Sequence, residues 1–100
     1  MLLTTVDIRT EYQVIGMVRG SSMKAKHLGK DIVAFFRQLI GGEVKEYADL
    51  LKSAREEAIA QMIREAESLG ANAIIGIRFG TSNVSAGAAE IIAYGTAVKI

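Results

Sequence analysis

Apolar residues recur along this chain with two different periods, and the switches between them mark out its elements. From Tyr12 to Gly20 the period is two: Tyr12, Val14, Gly16 and Val18 fall on one side, Gln13, Ile15, Met17 and Arg19 on the other. That is the pattern of a half-buried β-strand. Gly16 and Gly20 within the run predict a bulge or a close backbone approach. Residues 2–6 predict an earlier short strand, with a polar turn from Asp7 to Glu11 between the two. Ser21 to Lys30 is polar and basic and reads as a connection. Ile32, Val33, Phe35, Phe36, Leu39 and Ile40 then recur at helical spacing and predict a short helix over 31–40. Asp31 suits its start, where a carboxylate meets unpaired N–H groups and the positive end of the dipole. Gly41-Gly42 ends it.

A longer helix is predicted from Val44 to Leu69. Tyr47, Leu50, Leu51, Ala54, Ala58, Met62, Ala66 and Leu69 form an i, i+3, i+4, i+7 stripe, and Ile59 and Ile63 widen it beyond what one sheet requires. The outer face carries Asp49, Lys52, Glu56, Arg64 and Glu67. Gly70 follows the stripe directly, where a helix ends most easily on a residue free to turn left-handed. The next strand, Ala73 to Phe79, is read with Ile75, Ile77 and Phe79 on one face and Arg78 on the other; Gly80 to Ala88 reads as a flexible hairpin loop. In the last strand, Glu90 to Ile100, one face holds Ile92, Tyr94, Thr96, Val98 and Ile100. The other holds Ile91, Ala93, Gly95, Ala97 and Lys99, small enough to let a helix or a neighbouring chain come close.

The predicted order is β-β-α-α-β-β, with most strands in one antiparallel or mixed sheet and two helices covering a face, an α+β two-layer sandwich. No linker, repeat or low-complexity segment divides residues 1–100, so a single domain is expected.

Composition adds an assembly argument. Half the residues are hydrophobic, 23% are charged and the mean hydropathy is +0.25, which is apolar for a chain whose own core is modest. A subunit interface is the simplest outlet, and Ile59, Ile63, Ala93, Gly95 and Ala97 are the residues assigned to it. A membrane span is not expected, because no run approaches roughly 20 uninterrupted apolar residues. Met1 to Asp7 lacks the basic start and long apolar core of a signal peptide, so a cytoplasmic location is expected. The absence of cysteine excludes disulfides, zinc–thiolate sites and thiol catalysis. A net charge of +1 supplies no global field for polyanions.

The Thr4-Thr5 strand, Gly16-Met17-Val18-Arg19-Gly20, the Gly41-Gly42 break, Tyr47 with Ala54-Arg55, Gly70-Ala71-Asn72-Ala73-Ile74-Ile75-Gly76 and the closing Gly95-Thr96-Ala97-Val98 together resemble the YbjQ-like family of small bacterial and archaeal proteins, often labelled as heavy-metal-binding. The last two motifs, in this order and spacing, are the specific part, and the resemblance covers nearly the whole chain. It implies a small α+β subunit that assembles into a ring, a pentamer, through strand and helix contacts.

Candidate chemistry is sparse. A soft-metal site draws on His, Cys or clustered carboxylates, and this chain offers His27 with Met1, Met17, Met23 and Met62. One His27 from each subunit, gathered on the axis of a ring, is the geometry that would hold such a metal. Glu56-Glu57 and Glu65/Glu67 diverge around their helix. Arg19, Lys24, Lys26, His27, Lys30 and Arg37 form a local basic cluster, opposed by Asp31, that would attract an anionic partner when multiplied around a ring. No aromatic residue interleaves with it, so a nucleic-acid signature is not apparent. Ser21, Ser22, Ser82 and Ser85 lie in glycine-bearing loops without the spacing of a catalytic triad, Gly20-Ser21-Ser22 lacks the order of a phosphate-binding loop, and Glu90 with Tyr94 is a weak acid–base candidate. The expectation is a non-enzymatic homo-oligomer that binds a small ligand or ion, or presents a surface to a partner. The alternatives are a scaffold docking an anionic partner through residues 19–37, and a heavy-metal-binding protein.

Overall fold

The computed structural model describes residues 1–24, 44–85 and 88–100. The helix predicted over 31–40 and its Gly41-Gly42 stop lie outside these residues. The described elements are β1 (Leu2–Leu3), β2 (Gln13–Lys24), α1 (Val44–Ser68), β3 (Ala73–Ser85) and β4 (Ala88–Lys99). The strands form one mixed sheet in the order β1-β3-β4-β2. β1 is parallel to β3, and β4 is antiparallel to both β3 and β2. Among the described residues the α+β expectation therefore holds with one helix on a four-stranded sheet.

Two strands run further than their side chains suggested. β2 continues through Ser21–Lys24, paired with Ile92–Ala89, and β3 continues through Gly80–Ser85, paired with Ile92–Ala88. Both stretches are poor in apolar residues, and their pairing is carried by backbone ladders to β4. β1 is shorter than the predicted 2–6, although Thr4 still bridges to β3. Its N–H donates to the Ile74 carbonyl (3.0 Å) and its carbonyl accepts from the Ile77 N–H (3.1 Å).

The helix seam is as the stripe predicts in its central part. Ala54, Ala58, Met62 and Ala66 are buried against Val18, Ile77, Ile91, Ala93 and Ala97. Gly20 lies directly beneath α1: a Cβ there would meet the Ala58 carbonyl oxygen and stand 2.6 Å from the Met62 amide nitrogen. Four small or flexible residues on the helix and a glycine on the strand thus allow the two backbones to approach closely. The helix ends in paired backbone bonds, Gly70 N–H to the Glu67 carbonyl and Ala71 N–H to the Ala66 carbonyl, both 3.0 Å. Gly70 has φ +84° there, which glycine adopts without steric cost. Leu69 lies beyond the helix and is half-exposed rather than part of the seam.

Two bulges reverse the predicted faces. Ile75 pairs with Thr96 but Arg78 pairs with Tyr94, so Gly76 and Ile77 together oppose Gly95. Gly76 takes φ +63° to make this possible. The face assignment of β3 is accordingly corrected: Ile74 and Ile77 join the helix-side core, while Ile75 lies on the opposite face with Ala73 and Val98. A second irregularity between Val14 and Gly16 does the same in β2. Ile15 packs with the helix-side core, whereas Val14 and Met17 are exposed.

Among the described residues, the face away from α1 is covered at one end, by Ile8 and Tyr12 against Ala73, Ile75 and Val98. The Asp7 carboxylate organises that cover, accepting from the Ile8 N–H (2.8 Å) and the Tyr12 hydroxyl (2.7 Å). The described residues extend over 52 × 21 × 17 Å.

Candidate binding surface

Beyond that small cover, no other described element lies on the outer face of the sheet, and register arranges its side chains in cross-strand rows. Met17, Thr96 and Ile75 form one row, Arg19, Tyr94 and Arg78 the next, then Ser21, Ile92 and Gly80, then Met23, Glu90 and Ser82. In the central row Tyr94 of β4 pairs with Arg19 on one side and Arg78 on the other. Tyr94 is 41% exposed and both arginines are exposed. Arg78 is anchored through Nη1, which donates to the Thr5 carbonyl (2.7 Å) and to its neighbour Ile77's carbonyl (2.8 Å). Its Nε and Nη2 are unpartnered among the described residues, and so is the whole Arg19 guanidinium. Two rows away, Ser82 donates weakly to Glu90 at 3.4 Å.

The margins of the sheet add two hollows. At the β2 flank a groove of about 410 Å³ is bounded by Arg19, Ser21, Gln61, Glu65, Glu90 and Ile92. Here Gln61 Oε1 accepts the Ser21 N–H (3.1 Å), closing one donor of an edge strand with a helix side chain. Between β1 and α1 a smaller apolar pocket of about 170 Å³ is lined by Leu3, Ile59, Met62, Ile77 and Phe79.

Residues 1–100 match the family described as "Putative heavy-metal-binding". The chain belongs to the YbjQ-like family. Relatives include a UPF0145 protein of Methanosarcina acetivorans, 52% identical over 100% of this chain and 97% of its own length. Another, from Thermus thermophilus, is 48% identical over 100% of this chain and 90% of its own. The fold is shared with a protein of unknown function from Pediococcus pentosaceus, at a TM-score of 0.66 and 20% identity, covering 100% of this chain and 97% of that one.

The YbjQ-like family description implies a heavy metal, and the described residues do not fit one. Among them no three His, Asp or Glu side chains come together as a ligand group. Met17 and Met23 are six residues apart on one strand, about 20 Å by strand rise. His27 lies outside the described residues, as do Lys26, Lys30 and Arg37.

Arg19 is on the outer face, and Lys24 ends β2. Ile59 and Ile63 are partly buried at the border of the helix-side core. Ala93, Gly95 and Ala97 are buried inside the protomer, where their small size serves this chain's own helix and the β3 bulge. Ser22 is buried and donates to Glu57 at 3.1 Å. Glu90 and Tyr94 stand about 13 Å apart along β4, too far to act as a pair. Sequence reasoning missed the Arg19–Tyr94–Arg78 row. Each member was visible on its own strand, but the bulge at Gly76 decides that Arg78 falls opposite Tyr94.

Proposed function

We propose that this chain is a non-enzymatic, homo-oligomeric module, a ring of about five subunits, that binds a small ligand or ion or presents a surface to a partner. The observation that supports it is the apolar surface exposed among the described residues: Leu2, Leu3, Val14, Met17, Phe79 and Ile100 are each more than a third exposed. The sheet ends favour a head-to-tail arrangement. Among the described residues β2 is one edge, and β3 beyond Arg78 has no neighbour on its other side, since β1 stops at Leu3. Open edges with unpaired backbone groups invite strand pairing, and a contact between two different edges closes into a ring when its rotation permits. Ile59 and Ile63, beside the pocket next to β1, extend that interface onto the helix.

Native mass spectrometry of untagged protein tests this. An assembly of about five subunits is expected, and Ile63→Asp lowers its order. A monomer at micromolar concentration, or an unchanged mass in the Ile63 variant, refutes the reading or its interface respectively.

A further inference from the structure

We propose that the outer face of the sheet binds single-stranded nucleic acid, with one base stacked on Tyr94 and the phosphates on either side of that base held by Arg19 and Arg78. This goes beyond the ring reading and does not depend on it. Strand register sets the three residues in a single row.

Tyr94 sits in the middle strand of the three, so the strands beside it leave its ring accessible from above. Adjacent strands are about 4.8 Å apart, which places the two arginine backbones about 10 Å apart with the tyrosine midway. A nucleotide within a strand has this arrangement of chemistry, a planar π-face between two anionic groups. Stacking on an aromatic platform accepts any base, and guanidinium groups track the backbone. An exposed sheet face carrying aromatics is a common solution for unpaired bases, which, unlike those of a duplex, are free to leave their neighbours and stack on protein.

The donors are free for this role. Arg78 is held in place by its Nη1 contacts with Thr5 and Ile77 while Nε and Nη2 point to no described partner. Arg19 has no ion pair among the described residues, although Glu65 and Glu90 border the same groove. Glu90 lies about 13 Å up the strand from Tyr94 and is engaged by Ser82. A double helix is disfavoured, because its bases are already stacked. The ligand class is therefore an unpaired strand of DNA or RNA.

The chain has three tyrosines and no tryptophan, so tyrosine emission reports directly on stacking. Full-length protein is titrated with a 12-nucleotide thymidine strand in 50 mM salt, following tyrosine fluorescence, and in parallel with an abasic strand of equal phosphate number. Saturable quenching of about a third of the emission is expected with the base-bearing strand. Tyr94→Leu abolishes the quench and weakens binding about five-fold or more. Arg19→Ala lowers the slope of log affinity against log salt by about 0.7 for each protomer engaged. Arg19 is the charge to remove because it makes no described contact, so this variant keeps the wild-type melting temperature; Arg78 anchors Thr5 and is left intact. Equal affinity for the abasic strand overturns the proposal. Binding that survives both Tyr94→Leu and Arg19→Ala but is lost on reversing Lys26 and Lys30 overturns it as well, and so does the absence of binding at 50 mM salt.

Discussion

Gly20→Ala tests the seating of the helix on the sheet. The new Cβ would fall on the Ala58 carbonyl oxygen, 2.6 Å from the Met62 nitrogen and 2.8 Å from Gln61 Cβ. The first two obstacles are helix backbone, which cannot swing aside as a side chain does. Ordinary contact begins near 3.4 Å, so clearing Met62 alone requires α1 to move by about 0.8 Å. A gap of that size along Ala54, Ala58, Met62 and Ala66 forfeits about a quarter to a half of each dispersion contact. Overpacking of this kind costs about 1–3 kcal/mol, and rigid obstacles put this site near about 3. The smaller entropy of the unfolded alanine chain returns about 0.4–1 kcal/mol. A net loss of about 2–3 kcal/mol corresponds to a fall in Tm of about 10–20 °C for a chain of this length. Urea unfolding is compared with wild type at one fixed protomer concentration, because association would make stability concentration-dependent. A lower midpoint with an unchanged m value is expected. Gly80→Ala is the control: nothing lies within 4 Å of its Cβ, so its effect stays within about 0.5 kcal/mol. If Gly20→Ala is no worse than Gly80→Ala, the helix does not sit on Gly20 and the two-layer packing is wrong.

Two further outcomes follow from individual residues. Gly76→Ala introduces no clash but forces alanine to φ +63°, costing about 1–2 kcal/mol; a neutral result would show that the β3 bulge relaxes away, and with it the alignment of Arg78 with Tyr94. The Asp7 carboxyl is held below its ordinary range by the Tyr12 hydroxyl and then by the Ile8 N–H, both donating to the charged form. Its contribution is therefore present above the ordinary carboxylate pKa and lost as pH falls through the lower folded value. The Tyr12 phenol is raised by the same bond, so its contribution is present below its ordinary pKa and lost as pH rises through the folded one. NMR titration of Tyr12→Phe should return Asp7 toward the ordinary value; an Asp7 titration identical to wild type would remove Tyr12 as the cause.

Much of this fold is local and was therefore legible in the residues. The helix stripe from Ala54 to Ala66, its end at Gly70 and the strict alternation of β4 each depend on neighbours within a few positions. Asn72 adds to the junction by holding the end of β4, its Oδ1 accepting the Ile100 N–H at 2.8 Å. Gly16 and Gly20 were expected to mark a bulge or a close approach, and they mark one of each.

What the tertiary structure alone decided is phase and partnership. A bulge shifts every following side chain to the other face, and hydrophobic patterning cannot count it where both faces are partly apolar, as at Ile74-Ile75 and at Val14-Ile15. The polar ends of β2 and β3 were invisible for a different reason: their stabilisation lies in backbone bonds to β4, which no side-chain pattern records. The same register places Arg19, Tyr94 and Arg78 in one row although they stand far apart along the chain. Their proximity is a property of strand pairing, a non-local contact that residues read in order along the chain do not contain.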